Sequence, residues 1–230
     1  MLFTKLLLAH ILGDFIFQSK KWVLHKEANK IRSKYLYAHI IIHFGLIMVF
    51  LWDPKAWKIA AIVAMSHFVI DLLKIYTTPL FKIKKVPFFI DQFLHILVIY
   101  ACAYYSNLWE HTLYMYHQLN WPLLTALVFV TYPAAIIMNV LLEGMSNQIN
   151  LDHKSLRNAG RYIGIIERLF VFGFIVMGRW EAIGFLIAAK SVFRFNDLKE
   201  TNNRKLTEYI LIGTLLSFGI AMITGILYIY

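Results

Sequence analysis

Four apolar segments in the first half of the chain each carry two metal-type ligands spaced four residues apart. They are His10 and Asp14, His39 and His43, His67 and Asp71, and Asp91 and His95. A four-residue step is about one helical turn, so each pair shares one helix face. The same segments are long and apolar enough to span a membrane. An ionisable group inside a bilayer costs at least ~2.5–3.5 kcal/mol on insertion scales, and such groups usually mark a functional site. Matched pairs on four helices predict an all-α, polytopic transmembrane helical bundle whose first four helices enclose a polar core.

Composition agrees. The chain has 230 residues, 60% of them hydrophobic and only 16% charged. That length holds about eight spans of roughly 20 residues with short loops. The net charge of +10 does not indicate nucleic acid. The Lys and Arg residues lie between apolar runs, where membrane orientation already accounts for them. A single cysteine, Cys102, excludes an internal disulfide and a cysteine-based zinc site. The first apolar run carries Lys5, His10 and Asp14, with no small-residue cleavage motif after it. It is expected to be a span rather than a signal peptide.

Eight helices are predicted, over 2–18, 35–52, 56–77, 86–106, 121–144, 160–178, 180–194 and 206–229. The break at 19–34 holds six basic residues, Lys20, Lys21, Lys26, Lys30, Arg32 and Lys34. Asp53-Pro54 and Thr78-Pro79 are turn signals, and Trp121-Pro122 is a helix start. Two halves are expected: a His/Asp-bearing domain over 1–107 built from two repeated hairpins, and a four-helix half over 108–230. The odd-numbered loops are basic, the third with Lys82, Lys84 and Lys85, the fifth with Lys154, Arg157 and Arg161, and the seventh with Arg194, Lys199, Arg204 and Lys205. The even loops are poor in basic residues. The positive-inside rule then puts the odd loops in the cytoplasm and both termini outside.

Counting from the cytoplasmic ends, His10, His43, His67 and His95 all lie roughly 12–15 Å deep at ~1.5 Å per residue. Asp14, His39, Asp71 and Asp91 lie about a turn nearer the cytoplasm. Two stacked layers are therefore expected, histidine above and carboxylate-rich below. Each hairpin reads His-x3-Asp and then His/Asp-x3-His. Parallel membrane repeats of this kind place their site at the repeat interface. Mixed imidazole and carboxylate donors without thiolate suit Zn, Mn or Fe, with one or two ions. Gln18 and Gln92 are candidates to orient the ligands. Asp14, Asp71 and Asp91 are candidate proton acceptors. Lys74, a turn past Asp71, either neutralises an anionic substrate or snorkels to the interface. Polar helix packing and paired-histidine haem ligation are the competing accounts, although haem leaves the aspartates unexplained.

In the second half, Glu167, Arg168, Lys190 and Arg194 form a candidate polar cluster. It is read as an ion-pair network joining helices, or as the lining of a headgroup cavity. Asn139 and Glu143 are able to join either. His25, His111, His117 and His153 fall in predicted loops and receive no role.

The segments AHILGDFIFQ at 9–18, SHFVIDLLK at 66–74 and DQFLH at 91–95 resemble a family of bacterial inner-membrane proteins known only as a domain of unknown function. GFLIAAKSVFRF at 184–195 is similar to its longer members. The resemblance implies a polytopic membrane protein and carries no reaction with it. The His/Asp pattern is also distantly similar to membrane-bound metal-dependent hydrolases.

Three functions are compatible with this pattern. The leading one is a metal-dependent hydrolase acting on a lipid or another membrane-located ester or phosphoester. The alternatives are a metal-ion or proton-coupled transporter, and a non-catalytic structural or regulatory subunit. Membrane lipids are the expected partners, with no nucleic acid. The outer ends of the first four helices are apolar, as in FGLIMVFLW at 44–52, which favours a one-sided cavity over a through-path.

Overall fold

Inward-facing stripes at helical spacing organise the first half of the molecule. The computed structural model describes residues 1–83, 85–105, 119–146, 159–201 and 204–230, with side chains at all of these except 193–201 and 204. Among the described residues there are nine α-helices and no strand. They are α1 (Leu2–Ile11), α2 (Lys20–Asn29), α3 (Lys34–Leu51), α4 (Trp57–Thr77), α5 (Lys85–Tyr105), α6 (Trp121–Ser146), α7 (Ala159–Val176), α8 (Trp180–Thr201) and α9 (Arg204–Ile229). The chain is an all-α polytopic helical bundle. It separates into two compact units, Met1–Thr125 and Ala126–Tyr230.

In the first unit α1 packs on α3 and α5, α3 on α4, and α4 on α5, closing a ring of four helices. The buried stripe of α5 is Pro87, Asp91, His95, Ile99 and Ala103, one residue per turn. That of α3 is Leu36, His39, His43 and Ile47. On α4 it runs through Ala60, Val63, Ala64, His67, Ile70, Asp71 and Ile75. The candidate ligands therefore occupy core positions, and the outward-facing positions are left to residues such as Ile41, Met65 and Phe93, all exposed on the protein surface. Leu6, Ala9, Ile47, Ala60, Val63 and Ile99 form one continuous apolar core. They all lie on the side of the candidate ligands away from Lys26 and Lys74, where they plug one end of the ring. In lipid, such packing rests on dispersion contacts more than on expulsion of water.

The first predicted span, 2–18, is helical over Leu2–Phe17 but changes character along its length, and the chain bends sharply after it. After Ile11 the backbone widens into a π-helical turn, Leu12–Phe17, and Gln18 is extended. Ser19 then caps α2, its Oγ accepting from the Trp22 N–H. The helical stretches on either side of this break, Leu2–Phe17 and Lys20–Arg32, meet at 88°. The basic segment 19–34, expected as a loop, is thus mostly helix, and His25 lies within it. Helices α3, α4, α5, α6 and α9 are long and apolar enough to cross a membrane, and the bent pair supplies a sixth candidate span. The predicted spans 160–178 and 180–194 form α7 and α8. Neither is among these candidates. Arg161, Glu167 and Arg168 break the apolar run of α7, and α8 continues into a stretch, 196–201, that holds Asn196, Asp197, Lys199 and Glu200.

In the second unit α7 packs along α9, and α8 against α7. Its core is Val171, Ile175, Ile183, Phe218 and Ala221. Gly225 permits the close approach of α9, because a Cβ there would stand 2.8 Å from Ile175 Cγ2. Small residues serve this purpose at membrane helix contacts.

Candidate metal centre

All eight predicted ligands converge inside the first unit. His10, His39, His43, His67, Asp71, Asp91 and His95 are buried, and the Asp14 side chain is 8% exposed. Three imidazoles from two helices meet one carboxylate oxygen. Asp14 Oδ1 lies 3.2 Å from His39 Nε2, 3.1 Å from His43 Nε2 and 3.2 Å from His67 Nε2. His39 Nε2 also lies 3.0 Å from His67 Nε2 and 2.9 Å from Gln18 Nε2.

Hydrogen bonding alone does not satisfy this crowd. An imidazole nitrogen offers either one proton or one lone pair. His39 Nε2 can therefore complete one of its three contacts at 2.9–3.2 Å and leaves the other two unmade. A cation among the imidazole nitrogens and carboxylate oxygens would be shared by several of them at once, and the ligand atoms of His10, Asp14, His43 and His67 all lie within 4.8 Å of one another. At a Zn–N bond of ~2.0–2.1 Å, the edges of a tetrahedron are roughly 3.3 Å. The distances of 3.0, 3.1, 3.2 and 3.2 Å are close to that edge.

The two expected layers merge for a reason built into helices. Cβ bonds tilt toward a helix N-terminus. The ligands sit near the C-terminal ends of α1 and α4 and near the N-terminal ends of α3 and α5. Asp14 and Asp71 consequently lean toward the histidines, while His43 and His95 lean back toward the aspartates. His67 stacks between His43 and His95, with ring centroids 3.9 Å apart on each side. The π-helical turn re-aims Asp14, in keeping with the frequent placement of such turns at functional sites. Gly13 in that turn faces His43, and any Cβ there would collide with His43 Cε1 and Nε2.

A second group adjoins the first. Ligand atoms of Asp14, Asp91 and His95 lie within 4.8 Å of one another, and so do those of His39, His67 and Asp71. Gln92 Nε2 donates to Asp14 Oδ2 at 2.9 Å and to Asp91 Oδ2 at 3.2 Å. Its Oε1 lies 3.2 Å from His10 Nε2. Gln18 and Gln92 both touch ligands, as their positions in the sequence predict.

Two lysines complete the centre. Lys74 Nζ donates to Asp91 Oδ2 at 2.7 Å, so its charge is engaged by a ligand rather than snorkelling free. Its side chain keeps 32% exposure. Lys26 falls in a predicted basic loop, but α2 turns it inward. Its Nζ donates to Asp71 Oδ2 at 2.6 Å, and the residue is buried. Lys26 and Gly13 are the site residues that sequence reasoning missed. The π-helical turn and the 88° bend that place them leave no periodic signature.

In the second unit the polar cluster divides. Lys190 Nζ donates to Glu167 Oε2 at 2.6 Å, the expected ion pair. Arg168 takes no part in it. Its Nε donates to Val130 O at 2.6 Å, a terminal nitrogen to Thr131 O at 3.1 Å, and the other to Ser217 Oγ at 3.2 Å. Those carbonyls lie three and two residues before Pro133, in the same turn of α6. Arg168 therefore joins α6, α7 and α9. Asn139 and Glu143 are exposed and join neither group. The Arg194 side chain, His111, His117 and His153 lie outside the described residues.

Fold and site together define a class: an all-α, membrane-type helical protein with a buried His/Asp cluster able to hold a metal ion. Within it, residues 2–125 match the family described as Protein of unknown function (DUF3307), and the chain belongs to that family. No curated protein and no solved structure matches the chain.

Proposed function

We propose that the protein is a metal-dependent hydrolase acting on a lipid or another membrane-located ester or phosphoester. The observation that carries this reading is the convergence of His39, His43 and His67 Nε2 on Asp14 Oδ1 inside an apolar bundle. A divalent Zn, Mn or Fe ion bound there supplies Lewis acidity and makes water a nucleophile at neutral pH. The chain's own residues do the rest. The three histidines and Asp14 hold the ion, and Gln18 and Gln92 orient them. Asp71, whose Oδ2 accepts from Lys26 Nζ at 2.6 Å and lies 3.8 Å from His39 Nε2, fixes the charge beside that histidine. Lys74 and Lys26 offset the carboxylate charge.

Access supports an enzyme over a transporter. Asp14, Gln18, Lys74 and Gln92 keep partial exposure, and all lie toward the basic end of the ring. The other end is filled by the Leu6, Ile47, Val63 and Ile99 core. A one-sided mouth suits a headgroup entering from one leaflet. By the positive-inside rule that leaflet is cytoplasmic and both termini are periplasmic.

The test is elemental analysis of protein purified in detergent without chelator, followed by assay against phospholipids and lipid esters for released headgroup, phosphate or fatty acid. The expected result is bound transition metal and release that disappears on metal removal. His67→Ala should lower both. Protein that carries no transition metal and binds none on titration would overturn the proposal. Bound metal with every ester left intact would overturn the hydrolase part, and ion flux in proteoliposomes would then test transport.

A further inference from the structure

Four buried ligand-type atoms have no hydrogen-bond partner: His10 Nδ1, Asp91 Oδ1, His95 Nδ1 and His95 Nε2. None of them belongs to the three-histidine group on Asp14 Oδ1. Buried polar atoms in native proteins are normally paired, and exceptions call for an explanation such as an ion. Here the exceptions lie together: the His10 and His95 rings are 5.0 Å apart between centroids, and Asp91 Oδ1 lies 3.7 Å from His95 Nδ1. The other polar atoms of His10 and Asp91 are held in place.

Gln92 shows how they are held. Its Nε2 faces Asp14 Oδ2 and Asp91 Oδ2, two carboxylate oxygens that only accept. The amide orientation is therefore set, and Oε1 must accept from His10 Nε2. The His10 proton then sits on Nε2, which leaves a lone pair on Nδ1, the atom without a partner. Asp91 follows the same pattern. Lys74 and Gln92 both donate to Oδ2, while Oδ1 receives nothing and lies 3.7 Å from His95 Nδ1. Two donors on one ion at ~2.0–2.2 Å stand at most ~4.4 Å apart. Outer groups that fix the tautomer and orientation of metal ligands are the usual companions of a metal site.

We propose that the protein holds a second divalent transition-metal ion, bound by Asp91 and His95 with His10 beside them, and that Asp14 bridges it to the ion on His39, His43 and His67. This deepens the hydrolase reading and rests on its three-histidine site. Asp14 Oδ1 faces that site, and Asp14 also groups with Asp91 and His95. A carboxylate shared between inward-facing helices is the arrangement of two-metal bundles. Two ions acting together would clamp the attacking and leaving oxygens of a displacement.

The test uses the full chain in detergent, loaded with Mn2+. Wild-type protein should saturate at two ions per chain by elemental analysis. Its electron paramagnetic resonance should change from isolated to exchange-coupled Mn2+ as the second ion enters. His95→Ala should bind one ion with an uncoupled signal, and Lys20→Ala, an exposed residue of α2, should still bind two. His95→Gln keeps the side-chain bulk if the alanine variant fails to fold, and the wild-type spectrum needs no variant. Saturation at one uncoupled ion would overturn the second site and leave the proposed hydrolase standing. Binding of no ion would overturn both. Two coupled ions without ester hydrolysis would support the second site while removing the catalytic reading.

Discussion

Replacing Gly13 with alanine adds one methyl group to the turn that carries Asp14. That methyl would collide with His43 Cε1 and Nε2 and come within 3.0 Å of Cδ2. Ordinary carbon contacts lie at ~3.5–4.0 Å, so the imidazole must withdraw by about 1 Å or the π-helical turn must open. His43 has little room to withdraw: it is 1% exposed and stacked on His67 at 3.9 Å. Overpacking of this kind costs ~1–3 kcal/mol of stability. The displaced atom is also a candidate ligand. Disturbing the support of a metal ligand typically weakens affinity ~10–100-fold, or about 1.4–2.8 kcal/mol. Gly45→Ala supplies the control, because nothing lies within 4 Å of a Cβ there. It should match the wild type or gain up to ~1 kcal/mol from helix propensity. The assay is metal retention against a graded chelator, alongside thermal unfolding in the same detergent. A Gly13→Ala protein that retains metal and melts like the wild type would refute the placement of His43 against this turn.

Lys26→Met removes one partner of a buried ion pair and should destabilise by ~3–5 kcal/mol, because it strands the Asp71 carboxylate. Adding Asp71→Asn should recover part of that loss in denaturant unfolding, and a double variant no more stable than the single would refute the coupling. Arg168→Lys keeps the charge but cannot reach Val130 O, Thr131 O and Ser217 Oγ at once. With hydrogen bonds to charged groups worth ~1.5–3 kcal/mol each, a loss of at least ~1.5 kcal/mol is expected in the same unfolding assay. An unchanged midpoint would count against Arg168 as the tie among α6, α7 and α9.

The sequence by itself determined which residues face inward. Apolar and ligand positions share one stripe on each of α3, α4 and α5, so helical periodicity alone put His39, His43, His67, Asp71, Asp91 and His95 in one core. Glutamine at positions 18 and 92, within a turn of those ligands, was legible for the same reason. Local spacing also indicated the Glu167–Lys190 pair, whose depths are similar on neighbouring helices. Tertiary structure decided what periodicity does not encode. The 88° bend after the π-helical turn converts Lys26 from one of six basic residues scattered over 20–34 into the buried partner of a carboxylate 45 positions away. Opposite helix directions tilt aspartates and histidines toward each other and collapse two expected layers into one cluster. Arg168, read as part of an ion-pair network, instead donates to carbonyls before Pro133, because only packing shows which backbone acceptors have come within its reach. Periodicity assigns a residue to a face. Whether two faces meet, and at which atoms, depends on bends, tilts and close approaches that arise only when the helices pack.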